Sequence, residues 1–140
     1  MACSLEFDSK HKMLRLTIDG RLTDDMLFEG YKLAATYAAT CPPSCSITDL
    51  AKVTSNEVSS NAVMELAKSL LPDPVPVRRV IVVPQMHSYG VARMFQILSE
   101  EVRPDLHIVR AMDEAYRLLG VESPEFVPVN AESHIPGKDA

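Results

Sequence analysis

The chain has 140 residues and a net charge of -5, with 46% hydrophobic and 24% charged residues. That length supports one domain with its own core, and the balance is that of a folded protein, not a disordered one. The negative charge disfavours nucleic-acid partners and anionic lipid surfaces, and the apolar run Val80 to Val83 is far short of the roughly 20 residues of a membrane span.

At the start of the chain, Leu5 and Phe7 alternate with polar neighbours. Ser9 to Lys12 offer a turn, and Leu14, Leu16 and Ile18 alternate with Arg15, Thr17 and Asp19. Period-two alternation predicts a hairpin with one buried face, closed by Gly20. Thr23 is then an N-cap, and Asp24 and Asp25 suit the positive end of a helix dipole. Leu27, Tyr31, Ala34, Ala35 and Ala38 follow at helical spacing, and Pro42-Pro43 stops that helix. A short strand is expected over Ser46 to Leu50.

Ser59 or Ser60 can cap a second helix, which buries Val63, Leu66, Ala67 and Leu70. Pro72, Pro74 and Pro76 end it and force an extended connector. Val80 to Val83, apolar throughout, reads as a central strand covered on both faces. A third helix is expected from Met86 to Val102. Val91, Met94, Phe95, Leu98 and Val102 would face the core, Arg93, Gln96 and Glu100 would face away, and Gly90 would mark a close approach. Leu106 to Val109 makes the last strand, and a helix from Met112 stops at Gly120. The fold expected is α/β, with a mixed, mostly parallel sheet of about five strands and about four helices. Residues 1–120 form the domain and 121–140 a polar, proline-containing tail, in which Phe126, Val127 and Val129 could pack on the domain or a partner and disorder is expected from His134.

The opening residues lack the basic leader and apolar core of a signal peptide, so a cytoplasmic location is expected. Three cysteines fit reduced thiols. An extended path through Pro42-Pro43 would hold Cys41 and Cys45 beyond the ~7 Å reach of a disulfide, and no second Cys or His pair stands at zinc-ligand spacing. No cofactor is implied.

Three stretches carry a resemblance. They are Thr48 to Thr54 with Ser59-Ser60, Arg79 to Pro84, and Tyr89 to Gln96, supported by Ile108 to Ala115. With the element order they resemble the STAS fold of SpoIIAA-like anti-sigma-factor antagonists, and more closely a bacterial group of small STAS/SEC14-like proteins. The resemblance spans Leu5 to Gly120. It implies a noncatalytic regulatory module that binds a protein partner, such as an anti-sigma factor or a kinase. In the antagonists a serine at the start of the second helix is a phosphoswitch, and Ser59 takes that place, with Ser60 beside it. Asp49-Leu50 matches the strand end before the motif, while Val58 and Ser60 depart from it. The SEC14-like side of the resemblance implies instead a carrier or sensor for a lipid-like or small apolar ligand.

In a parallel sheet, loops leaving the carboxyl ends of strands gather at one edge. That edge is expected to collect Asp49, the loop carrying Ser59 and Ser60, His87, Ser88, Tyr89 and Arg110. The serines serve equally as plain helix caps. A hydrolase built from Asp49, His87 and Ser59 or Ser88 would need an oxyanion hole, and no Gly-x-Ser-x-Gly elbow is present. Tyr89 and Arg93 share a helical stripe that a homodimer or partner could use, or that simply faces water. Met64, Met86, Met94 and Met112 could line a ligand cavity or fill core gaps.

Overall fold

The computed structural model describes residues 3–129. Ten elements follow in order: β1 (Cys3–Asp8), β2 (Met13–Thr23), α1 (Asp24–Thr40), β3 (Cys45–Glu57), α2 (Ser60–Ser69), β4 (Arg78–Val82), α3 (Met86–Leu98), β5 (Leu106–Val109), α4 (Met112–Leu119) and β6 (Val127–Val129). They build one sheet in the order β5-β4-β3-β2-β1-β6. β2 to β5 run parallel, and β1 is antiparallel to both β2 and β6. The α/β, mostly parallel arrangement is therefore as expected, with a sixth strand.

Period-two alternation divides the sheet cleanly. Leu14, Leu16 and Ile18 of β2 and Ile81 and Val83 in and after β4 face one side, under α1 and α3. Met13, Ile47, Val80 and Val82 face the other, under α4 and the segment that follows it. Gly30 lets α1 lie close to β1 and β2, because a Cβ there would meet Leu16 Cδ2 at 3.3 Å and Cys3 Sγ at 3.5 Å. Gly120, at φ +69°, supplies the left-handed residue that ends α4. Gly90 is different from expectation: a side chain there would meet open space, so no close approach explains it.

Three other elements depart from the sequence reading. β3 continues seven residues past Leu50, and beyond Asp49 it pairs with β2 alone, through two register shifts. The Arg21 guanidinium grips Glu57 across this ribbon at 2.7 and 2.6 Å, and that pairing, with Ser55, holds the carboxyl down to about 2. α3 stops at Leu98, which is exposed; Ser99 is its C-cap, and the buried hydroxyl there donates to the Phe95 carbonyl at 2.6 Å. Gln96 points inward as well, donating to the Leu106 carbonyl at 2.8 Å. In the tail, Val121 is buried and Val127–Val129 pairs with β1. The expected disorder from His134 lies outside the described residues.

Asp8 links the tail to the hairpin. Its carboxylate is 1% exposed and accepts from the Lys10 and His11 backbone, from His11 Nδ1 at 2.8 Å and from the Glu125 N–H at 3.2 Å. Burial alone would raise its pKa, but the hydrogen bonds from His11 and Glu125 outweigh it and hold the carboxyl below the ordinary range.

Candidate functional site

An apolar cavity of about 600 Å³ lies on the α1–α3 face of the sheet, more enclosed than the polar-rimmed hollow of about 720 Å³ beside β1 and β2. It arises because α1 stands over β1 and β2, while α3 stands over β3 and β5 and carries α2 on its flank. The helices diverge between these supports, and the stripe that α1 turns toward the gap is Leu27, Tyr31, Ala34, Ala35 and Ala38. Alanine methyl groups are too short to close the space. The floor is Leu14, Leu16, Thr48 and Ile81, and Leu66, Leu70 and Phe95 form the opposite wall. The volume falls inside the ~300–1,000 Å³ typical of small-molecule sites, which are mostly apolar with a few placed polar groups.

The charged groups of the lining sit at one end, beside the proline-rich connector. Arg79 donates to both oxygens of Asp73 at 2.6 and 2.9 Å. Arg103, whose side chain is 9% exposed, donates to the Leu71 carbonyl at 2.6 Å and lies 3.6 Å from Asp73. The hydrogen bonds from Arg79 hold the Asp73 carboxyl below its usual range. Burial, and then the repulsion of Arg79, lower the Arg103 guanidinium from its ordinary value. None of these three was a candidate from the sequence. The adjacent basic pair Arg78-Arg79 and the three spaced prolines were the signals available.

The expected carboxyl edge resolves into separate groups. Arg110 donates to the Pro84 carbonyl at 2.8 Å and its guanidinium lies 6.0 Å from the Tyr89 ring centre, so these two candidates do meet. His87 Nδ1 is 2.9 Å from the Ser88 hydroxyl, but Ser88 is fully buried, and His87 has no other hydrogen-bond partner among the described residues. That pair lacks the orienting carboxylate of a nucleophilic triad. Asp49 lies within β3 and accepts from the Ala51 N–H at 2.9 Å, turning the chain at the register shift. Arg93 is exposed and bonds to Gln96.

Ser59 is elsewhere, at the tip of the β2–β3 ribbon. Its backbone N–H and its hydroxyl donate to the two oxygens of Asp24 at 2.7 and 2.8 Å, and the hydroxyl accepts from the Ala62 N–H at 3.1 Å. It is thus the N-cap of α2 and the tie between the starts of α1 and α2; Ser60 is the exposed first residue of α2. The candidate methionines lie at several places: Met112 opens α4 and packs against the core on that face, while Met64 and Met86 are exposed. Among the described residues no cluster of three or more His, Cys, Asp or Glu could hold a metal, and no helix is long and apolar enough to cross a membrane.

No protein-family model matches the chain. No curated protein matches it either.

Proposed function

We propose that the protein is a noncatalytic carrier or sensor that encloses a small apolar or lipid-like molecule between α1 and the α2–α3 pair. The observation that carries this reading is the cavity of about 600 Å³, floored by the central strands and walled by aliphatic side chains. A natural core packs to nearly crystalline density, and a void this large lined by apolar groups gains dispersion energy and excludes water when an apolar molecule fills it. The resemblance of the sequence to small STAS/SEC14-like proteins supports the same reading. Native mass spectrometry of gently purified protein tests it. The expected result is a small-molecule adduct that disappears on denaturation and is replaced by a neutral apolar fluorophore at one per chain. A bare mass together with no fluorophore uptake would contradict it.

A second reading, the phosphoswitch module binding an anti-sigma factor or a kinase, draws on one observation. Ser59 is exposed at the start of α2, where backbone N–H groups favour an anion. The same serine faces the Asp24 carboxylate, which would repel an added phosphate and disfavours this reading. Intact mass after incubation with a kinase that modifies a control antagonist separates the two: a gain of one phosphate that Ser59→Ala abolishes favours the switch.

A further inference from the structure

We infer that the ligand of this cavity is a long-chain monocarboxylate, its apolar chain lying between α1 and α3 and its carboxylate meeting Arg103 and Arg79. The inference rests on the apolar-ligand reading and adds the chemistry of the head group. Among the described residues that line the cavity, the charged ones are Asp73, Arg79 and Arg103, all at the connector end. Two guanidinium groups there share one carboxylate. Arg79 takes both oxygens of Asp73, whereas Arg103 meets the Leu71 and Val102 carbonyls and the Tyr31 hydroxyl, all neutral, and only approaches the same carboxylate at 3.6 Å. One positive charge is therefore uncompensated in a place that is more than nine-tenths buried on Arg103.

A buried charge that shares its counter-ion with a second cation is only partly compensated, and a single carboxylate from a ligand would neutralise the surplus through charge-assisted, fork-shaped hydrogen bonds. The charge count also discriminates among anions. A carboxylate brings one negative charge, matching the surplus, while a phosphate monoester brings about 1.5 to 2 and would leave an excess. The aliphatic length of the cavity leads away from this end along Leu14, Leu16 and Ile81, which suits an unbranched chain. Beside the arginines the connector bares Leu71, 76% exposed, and Val75, 56% exposed, so the rim of the charged end is itself apolar.

The test is competition against a fluorescent polyene fatty acid, using hexadecanoic acid, hexadecanol and hexadecyl phosphate on the whole protein. The acid is expected to bind at least about tenfold more tightly than the alcohol, and more tightly than the phosphate. Arg103→Met is expected to bring the acid down to the alcohol's affinity while leaving the alcohol unchanged. A merely structural arginine would weaken both alike. Asp73→Asn, which frees Arg79, is expected to tighten the acid and not the alcohol, and keeps the test alive should Arg103→Met not fold. Equal binding of acid and alcohol by the wild type overturns the head-group inference and leaves the apolar cavity standing. Tighter phosphate binding, or an acid preference that neither variant changes, also overturns it. Failure of every chain compound to bind removes both readings.

Discussion

The two faces of the sheet are built from the same alternating strands and end in opposite states. On the α4 face, Met13, Ile47, Val80, Val82 and Ala115 are essentially inaccessible, and Tyr116, Leu119 and Phe126 close over them. Arg15 completes this side, stacked 3.8 Å over Phe126 and paired with Glu6 at 2.7 Å. On the α1–α3 face the strands present Leu14, Leu16, Ile18 and Ile81, also buried, with Ser46 and Thr48 of β3 beside them, yet the helices above them stand apart and a cavity remains. Strand composition therefore does not decide whether a face is closed. Helix spacing does, together with the size of the side chains that the helices turn inward.

The first way to break this comparison is truncation on the closed face. Met13→Ala should cost ~2–5 kcal/mol in urea unfolding, because the site is sealed and cannot collapse. Leu27→Ala on the cavity wall, where the side chain is only half-buried, should cost well under half as much. Equal losses would mean that the two faces are packed alike.

Enlargement gives the opposite pairing. Ala115→Trp enters a fully buried position and should destabilise at the upper end of ~1–3 kcal/mol. Ala35→Trp leans over the cavity, so its stability should stay within about 1 kcal/mol of wild type, filling offsetting the weaker helix propensity. Melting curves of the two proteins check the pair.

Acid sharpens the contrast in a different way, because the tail that helps close the α4 face is tied to Asp8. Its folded pKa is depressed below the unfolded value of ~3.9, so its contribution is fully present above that value and is lost as pH falls through the folded pKa. Asp8→Asn should lose ~1–3 kcal/mol at neutral pH and show a flatter stability profile below pH ~4. Tail exposure, followed by hydrogen exchange at Val127 and Val129, should rise with it. The smallest effect belongs to the ribbon tip: Ser59→Ala should cost ~1 kcal/mol as a lost N-cap. Paired with Asp24→Ala it should be non-additive, since both remove the hydrogen bond from the Ser59 hydroxyl to Asp24.

Much of this architecture is legible in the sequence wherever burial imposes a period. Leu14, Leu16 and Ile18 declare their strand, and Thr23, Ser59 and Gly120 mark helix ends by chemistry that needs no partner. The β3 extension is not legible, because Ala51 to Glu57 pairs on one side only and buries just Val53 fully. β6 is hidden by Pro128, which an edge strand tolerates and a central strand would not. The end of α3 is concealed by an apolar Leu98 at core spacing that solvent nevertheless reaches. The cavity is the hardest case. Leu27, Tyr31 and the alanines of α1 state that one face is apolar, and nothing in their spacing states how far away the next helix will be. Arg79 and Arg103 become a pair only when the connector folds beside them, with 23 residues between them in the chain.

The central claim is that the space under α1 is a ligand site and not an incidental packing defect. Titration of a neutral apolar fluorophore into wild type and Ala35→Trp, side by side and with folding checked by circular dichroism, tests it most directly. The account predicts saturable one-to-one binding to the wild type and none to the equally folded variant. Binding of the same strength in both, or in neither, would contradict it.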